Sequence, residues 1–224
     1  MNENRGHRAC VSGIVLAAGK SSRIGTTKQL LELGGVTLLG RVIAAAKSSR
    51  LDEVLVVLGH DARAIKDRVD LSDVRVVMNS DYEQGQSTSV KRGLEYVSPR
   101  AEAAMFLLAD QPLVDGRVID TLIEGFQKSR KPIVVPVYGG RRGNPVVIGR
   151  GLFAELAATA WGDAGARVLF EGHAQDIHCV HLGTDSIHAD VDTLEDYRRL
   201  LAAGEYAPGD ASQQENESEG RDER

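Results

Sequence analysis

The sequence predicts an α/β fold with a mostly parallel central sheet and helices on both faces. Three observations carry that prediction. Short runs of continuous aliphatic residues recur, amphipathic stretches alternate with them through the first 135 residues, and the chain is 224 residues long. Continuous Val, Leu and Ile runs suit strands covered on both faces, and their alternation with helices makes βαβ units. The length suffices for one domain with a continuous core, and a second full domain would be cramped.

The elements follow in order. Residues 11–16 read as the first strand and 38–46 as a helix; 54–58 is a strand, rich in Val and Leu on both faces, and 62–69 a helix. Residues 74–78 are strand, 87–97 helix, 104–108 strand, 118–127 helix and 133–137 strand. After Tyr138 the rhythm becomes irregular, with strands expected at 145–148 and 177–182 and a helix at 152–159. Thr193 opens a last helix to about Ala203, with Glu195 and Asp196 at its positive end. No period of about 20 to 50 residues repeats, which excludes solenoids and propellers. In such sheets the loops leaving the carboxyl ends of the strands form the ligand crevice. Function is therefore expected just after Leu16, Leu58, Met78, Leu108, Val137 and Leu182.

Composition narrows the function classes. Glycine is plentiful at 24 residues, while proline (6) and cysteine (2) are scarce, which excludes collagen-like, proline-rich and disulfide-framework proteins. The formal charge of −5 argues against a large basic face for nucleic acid. No apolar run approaches the roughly 18 residues of a membrane helix. From Pro208 to Arg224 six acids face two arginines, so this stretch holds −4 of the charge and leaves −1 for the rest. It has no aliphatic residue larger than alanine and reads as a disordered acidic tail. The expected organisation is a flexible N-terminus over 1–10, one domain over 11–205 and the tail over 206–224. Arg5 and Arg8 ahead of apolar residues 9–18 imitate a secretory signal, but Ser12 and Gly13 interrupt the run. A soluble cytoplasmic protein is expected, with Cys10 and Cys179 as reduced, buried thiols.

The loop after the first strand is the richest segment. Residues 16–28, LAAGKSSRIGTTK, are small, flexible and cationic. Small residues let backbone N–H groups approach an anion, as in phosphate-binding nests. Arg23 offers a planar fork for phosphate oxygens and Lys28 a mobile point charge. Gly13 precedes Gly19-Lys20-Ser21 by five intervening residues, one too many for a P-loop, and the three spaced glycines of dinucleotide folds are absent.

The loop resembles the pattern L-A-[AG]-G-x-S-x-R-[ML]-G-x-x-K of the molybdenum-cofactor nucleotidyltransferases (MobA-like, MocA-type), with Ile24 at the Met/Leu position. Further matches run through most of residues 11–203. Asn79 with Glu83-x-Gly85-x-x-x-Ser89-Val90 resembles the nucleobase loop, and Leu108-Ala109-Asp110-Gln111-Pro112 the metal-binding turn. Residues 142–146 and 162–167 resemble the pterin side, placing Asn144, Asp163 and Arg167 by the acceptor, and residues 190–196 resemble D-I-D-T-P-E-D. Asn144 stands where His is common and Leu194 where Pro is common.

The resemblance implies a single Rossmann-like nucleotide-diphospho-sugar-transferase fold. It also implies a nucleotide site over Leu16, Ala17, Ala18, Gly19, Ser21, Arg23, Lys28, Asn79, Gly85, Ser89 and Asp110. The implied reaction is Mg²⁺-dependent transfer of CMP from CTP to molybdopterin or Mo-molybdopterin, with a molybdenum hydroxylase as a possible recipient. Arg23 would hold the β- and γ-phosphates and Lys28 the α-phosphate; with Asp110 these form the catalytic set. Ala-Ala-Gly resembles the cytidylyl enzymes, and a methyl at Ala18 would narrow the base pocket against a purine. The nucleophile of such a reaction is already an ionised phosphate, so the barrier lies in bringing anions together.

Mg²⁺ takes one or two carboxylates beside phosphate oxygens and waters. Asp110 suits the first, or else caps a turn or helix. Asp190 and Asp192 flank one strand-like residue and share a face, so either suits the second, while Asp192 or Thr193 caps the last helix in the alternative. Ser89 would bond the base edge or cap the helix that follows. His173, His178, His181 and His188 near Cys179 invite a zinc site, but a strand sends His178 and Cys179 to opposite faces. Trp161 would shape a pterin pocket or pack in the core. His60, on the ligand edge, has no evident role.

Rival readings keep the chemistry but use GTP or another phosphorylated acceptor, make the chain a nicotinamide-dependent oxidoreductase, or make it a non-catalytic carrier of cofactor.

Overall fold

The computed structural model describes residues 8–21 and 24–203. Its sheet runs β5-β4-β1-β6-β9-β7-β10. β1 (Val11–Ala17) lies between β4 (Glu53–Leu58) and β6 (Ala103–Leu108), parallel to both, and β5 (Arg75–Met78) is parallel to β4. β9 (Val146–Gly149) pairs antiparallel with both β6 and β7 (Ile133–Tyr138), and β10 (Ile177–His181) is parallel to β7. Two pieces were not expected: an antiparallel pair of β2 (Glu32–Leu33) and β3 (Val36–Thr37), and β8 (Arg141–Arg142), which turns back on β7. Two-residue strands are too short to show a period of two.

Period-two alternation inside the strands feeds two cores. Val11, Val15, Val56 and Leu107 face one side, packed by α1 (Leu38–Lys47), α2 (Ala62–Arg68) and α4 (Gly116–Ser129) through residues such as Val42, Ile65 and Ile119. Ile14, Leu16, Val57 and Phe106 face the other, where α3 (Gln86–Tyr96) and α5 (Phe153–Thr159) bring Val90 and Leu156. A small third cluster joins Leu33, Leu38 and Val191 to Tyr197 and Leu200 of α6 (Leu194–Ala202). That cluster draws the last helix back toward the first loop.

Local chemistry sets the helix starts. Asp115 accepts from Val118 N at the head of α4, which removes Asp110 from the capping role. Thr193 and Asp196 form a capping box at α6, so Thr193 is the cap and Asp192 is not. Ser89 lies within α3 and caps nothing. Among the described residues no helix is long and apolar enough to cross a membrane. The acidic tail expected over 206–224 falls outside the described residues, as do residues 1–7, 22–23 and 204–205.

Candidate active site

The carboxyl ends of β1 and β6 open onto two adjoining pockets. The larger, about 510 Å³, is lined by Leu16, Ala18, Gly19, Lys20, Lys28 and Asp110 from one side and Tyr82 to Gln86, Ser89, Gly162 and Asp163 from the other. The smaller, about 220 Å³, lies toward β9 and is lined by Asn144, Asp163, Arg167, Asp190, Asp192 and Asp110. Leu16, Gln86, Leu108, Asp110 and Asp163 belong to both. Asp110 therefore stands where the two spaces meet.

The first loop is held from behind by Gln29, a residue that pattern reading passed over. Gln29 is 1% exposed, and its Nε2 donates to the carbonyls of Ala17 at 3.2 Å and Gly19 at 3.0 Å. Its Oε1 accepts from Ser21 Oγ at 3.2 Å, while Ser21 Oγ accepts from Lys28 N at 3.1 Å. Ala17 and Ser21 thus shape the loop without lining the cleft. Among the described residues beyond its chain neighbours, a Cβ on Gly19 would meet no atom within 4 Å, so the cleft wall there is backbone. Arg23 lies outside the described residues.

Across the cleft, Gly85 has φ +107, and a Cβ there would come within 2.8 Å of the Gly162 backbone. This close approach lets residues 162–163 cap α3: Gly162 O accepts from Ser87 N at 2.8 Å, and Asp163 Oδ1 from Gln86 N at 3.1 Å. Asn79, placed by the sequence in the nucleotide site, is buried behind it; its Nδ2 donates to Thr88 Oγ1 at 2.9 Å and Ser89 Oγ at 3.0 Å. Lys20 reaches Glu83 at 2.5 Å over the mouth, holding that carboxyl below its ordinary range.

At the junction, Lys28 Nζ lies 2.5 Å from Asp110 Oδ2 and 3.2 Å from Asp192 Oδ1. Burial works to lower the Lys28 pKa, but the two carboxylates outweigh it and hold the group above its ordinary value. Asp110 Oδ1 is buried and has no hydrogen-bond partner among the described residues. Val191 N donates to the Asp110 carbonyl at 2.9 Å, which registers the 190–192 segment on the turn after β6. Gln111 is the second residue the sequence left without a role: its Nε2 donates to Asp190 Oδ1 at 2.6 Å. Burial, then the charge of Asp110, raises the Asp190 pKa, while the Gln111 bond works against them. Residues 190–192 are irregular backbone, not strand. The long-range contacts to Gln111 and Asp110 bring both aspartates to the smaller pocket.

These residues fit a divalent cation by their chemistry: hard oxygen donors, an orphaned buried carboxylate oxygen, and an aspartate whose pKa is raised first by burial and then by the charge of Asp110. As the side chains stand, no three His, Cys, Asp or Glu groups among the described residues converge as a ready-made metal site.

Other expected positions resolve differently. Gly139 and Gly140 (φ +56 and +77) turn β7 into β8, so the loop after Val137 is a hairpin that lines neither pocket. His60 lines neither; its ring lies 6.0 Å from that of Tyr82. Trp161 is 83% exposed, neither core nor pocket wall. His173 pairs with Asp176 and Glu155, which raise its pKa, and no zinc cluster forms among the described residues. His178 packs toward α4 while Cys179 joins the opposite core, as the strand period requires. Both cysteines are free thiols but only half-buried, and burial raises that of Cys10.

The MobA-like NTP transferase domain matches residues 13–177, which include the first loop, the Gly85 turn, Asp110 and the lining of both pockets apart from Asp190 and Asp192. The chain belongs to the MobA-like NTP transferase family. This nucleotidyltransferase is 32% identical to nicotine blue oxidoreductase of Paenarthrobacter nicotinovorans, over 86% of this chain and 97% of that protein. It is 37% identical to the crystal structure of an Rv0371c homologue from Mycobacterium sp. strain JC1, with TM-score 0.78, covering 86% of this chain and 96% of that one. It is 31% identical to Rv0371c of Mycobacterium tuberculosis H37Rv, solved in complex with manganese, with TM-score 0.75 over 87% and 100% of the two chains.

Proposed function

We propose that this nucleotidyltransferase moves CMP from CTP to a molybdopterin-type acceptor, with release of pyrophosphate. One observation carries the reading: two pockets of unequal size meet at Asp110, as a donor nucleotide and an acceptor phosphate would have to meet. The nucleotide takes the larger pocket. Bare backbone at Gly19 receives its phosphates, Arg23 holds the β- and γ-phosphates, and Lys28 leaves its carboxylates for the α-phosphate. Ser89 faces the cleft beside Gly85 on the base side, and Ala18, 4% exposed on the opposite wall, narrows the space to a pyrimidine. The acceptor enters beside Asn144, Asp163 and Arg167, its phosphate drawn by the Arg167 guanidinium.

No residue need act as a base, because the attacking phosphate is already ionised. The chain's contribution is to hold two anions together and to neutralise the charge that builds at the α-phosphate. Mg²⁺ would be held by Asp110 with Asp190 and Asp192, and when bound it supplies neutralisation and orientation of phosphate oxygens. We assign the catalytic domain to 11–205, with residues 206–224 outside it, and a molybdenum hydroxylase as recipient of the product.

The deciding assay is pyrophosphate release with Mg²⁺ and molybdopterin, comparing CTP, GTP and ATP. Strong CTP preference supports the cytidylyl reading. GTP preference keeps the chemistry and overturns the role of Ala18. A second reading, reduction of a pigment by a nicotinamide, is favoured by the name of the 32% identical relative. Oxidation of NADH or NADPH by the purified chain with nicotine blue added as the hydride acceptor, and with no pyrophosphate released from any nucleotide, would establish it over the first.

A further inference from the structure

The ammonium between Asp110 and Asp192 stands among the carboxylates that the proposed reaction reserves for a divalent cation. Lys28 Nζ touches both, at 2.5 and 3.2 Å, and the Lys28 and Asp110 side chains are only 16% and 18% exposed. The same ammonium is required by a nucleotide phosphate. One compact cation cannot serve both partners well, and a dication on these oxygens would lie against a like charge.

We infer that Lys28 holds the divalent-cation site closed in the nucleotide-free protein, and that phosphates entering the larger pocket draw it off Asp110 and Asp192. Nucleotide therefore binds before the cation binds tightly. The inference rests on the proposed nucleotidyl transfer and adds an order to it.

The surroundings suit a side-chain swing on a fixed frame. The Lys28 backbone N is held by Ser21 Oγ, and buried Gln29 beside it is bonded to the Ala17 and Gly19 carbonyls. What remains free to move is the four-carbon stem. Lys28 lines the larger pocket, so its ammonium can turn toward phosphates there without the loop shifting. Asp110 shows the other half of the exchange: one oxygen takes the ammonium, while the other is buried without a partner among the described residues. A monovalent point charge leaves that oxygen unmatched, and a cation with several coordination positions would not.

The test uses Mn²⁺ alone as probe, on the full chain without nucleotide, with free Mn²⁺ read by electron paramagnetic resonance. Lys28→Met and Lys28→Gln should bind Mn²⁺ about tenfold more tightly than the unmodified protein, because the occupied fraction of the site is released. Lys28→Arg, which keeps a cation in place, should stay within about twofold of the unmodified protein. Unchanged circular dichroism qualifies each variant. In EDTA, CTP binding measured by calorimetry should weaken about tenfold in Lys28→Met, since the phosphates lose their ammonium. The inference is overturned if Lys28→Met and Lys28→Gln bind Mn²⁺ no better than the unmodified protein while Asp110→Asn abolishes binding; the metal site would then stand and the closure fall. If Asp110→Asn leaves Mn²⁺ binding untouched, the carboxylate site itself is wrong and both readings fall.

Discussion

The two sides of the cleft are built by different means. On the nucleotide side, residues 18–21, 24–28 and 79–85 lie in the loops that leave the parallel strands β1 and β5, and backbone geometry does most of the positioning. On the acceptor side, Asn144, Asp163, Arg167, Asp190 and Asp192 come from irregular segments around the antiparallel β9 and after β10. These are held by contacts reaching far along the chain: Gly162 O to Ser87 N, Gln111 to Asp190, and Val191 N to Asp110 O. A loop that follows a parallel strand inherits its place, whereas an irregular segment must be tied. Ties are what mutation should expose.

The largest effect is expected where the two sides meet. Lys28→Ala should cost about 3 kcal/mol of transition-state stabilisation, on the scale of losing one preorganised donor. A normal turnover rate in pyrophosphate release would remove Lys28 from the mechanism. Next comes the seam between α3 and residues 161–165. Gly85→Ala places a Cβ within 2.8 Å of the Gly162 backbone at φ +107, and should destabilise by about 2 kcal/mol in urea unfolding. An unchanged midpoint would mean that the seam yields and does not couple the two sides.

A milder cut at the same seam is Asp163→Ala, which removes the acceptor for Gln86 N and should cost about 1 kcal/mol. If Asp163 instead serves mainly the acceptor, stability will hold and the KM for acceptor will rise.

The smallest effect has the opposite sign. The Asp190 carboxyl has its pKa raised, first by burial and then by Asp110, although the residue is exposed at the cleft surface and water screens part of the cost. A carboxyl raised in the folded state binds more protons folded than unfolded between its ordinary value and its raised one. Stability therefore falls as pH climbs through that window. Asp190→Asn should melt slightly higher than the unmodified protein at neutral pH, and the gain should vanish below the ordinary carboxylate range. A lower melting temperature at neutral pH would show that the Gln111 bond outweighs the repulsion. The same variant should lose activity, since the cost at Asp190 is the charge a cation would use.

Asp110 and Lys28 were legible because each sits in a dense motif after a strand end. The roles of Gln29 and Gln111 were not, although Gln29 directly follows the first motif and Gln111 lies within the turn motif. A buried glutamine earns its role from carbonyls and carboxylates that only the folded chain brings near, and one amide side chain resembles another in sequence. Asn79 failed in the converse way: its place after β5 pointed to the cleft, but its side chain turns inward to Thr88 and Ser89. Trp161 met neither of its expected roles, because large apolar size argues for contact without saying where contact is available.

By itself the sequence determined the alternation of strands and helices, the parallel core and the cationic loop on the first strand, because period and turn chemistry are local properties. Only the tertiary structure decided that β9 enters the sheet antiparallel between β6 and β7 and that Thr193, not Asp192, caps α6. It alone set Lys28, Asp110 and Asp192 into one cluster across 164 positions of sequence. Side-chain charges attract over a few ångströms wherever they lie in the chain, and it is the closed core beneath them that chooses which ones meet.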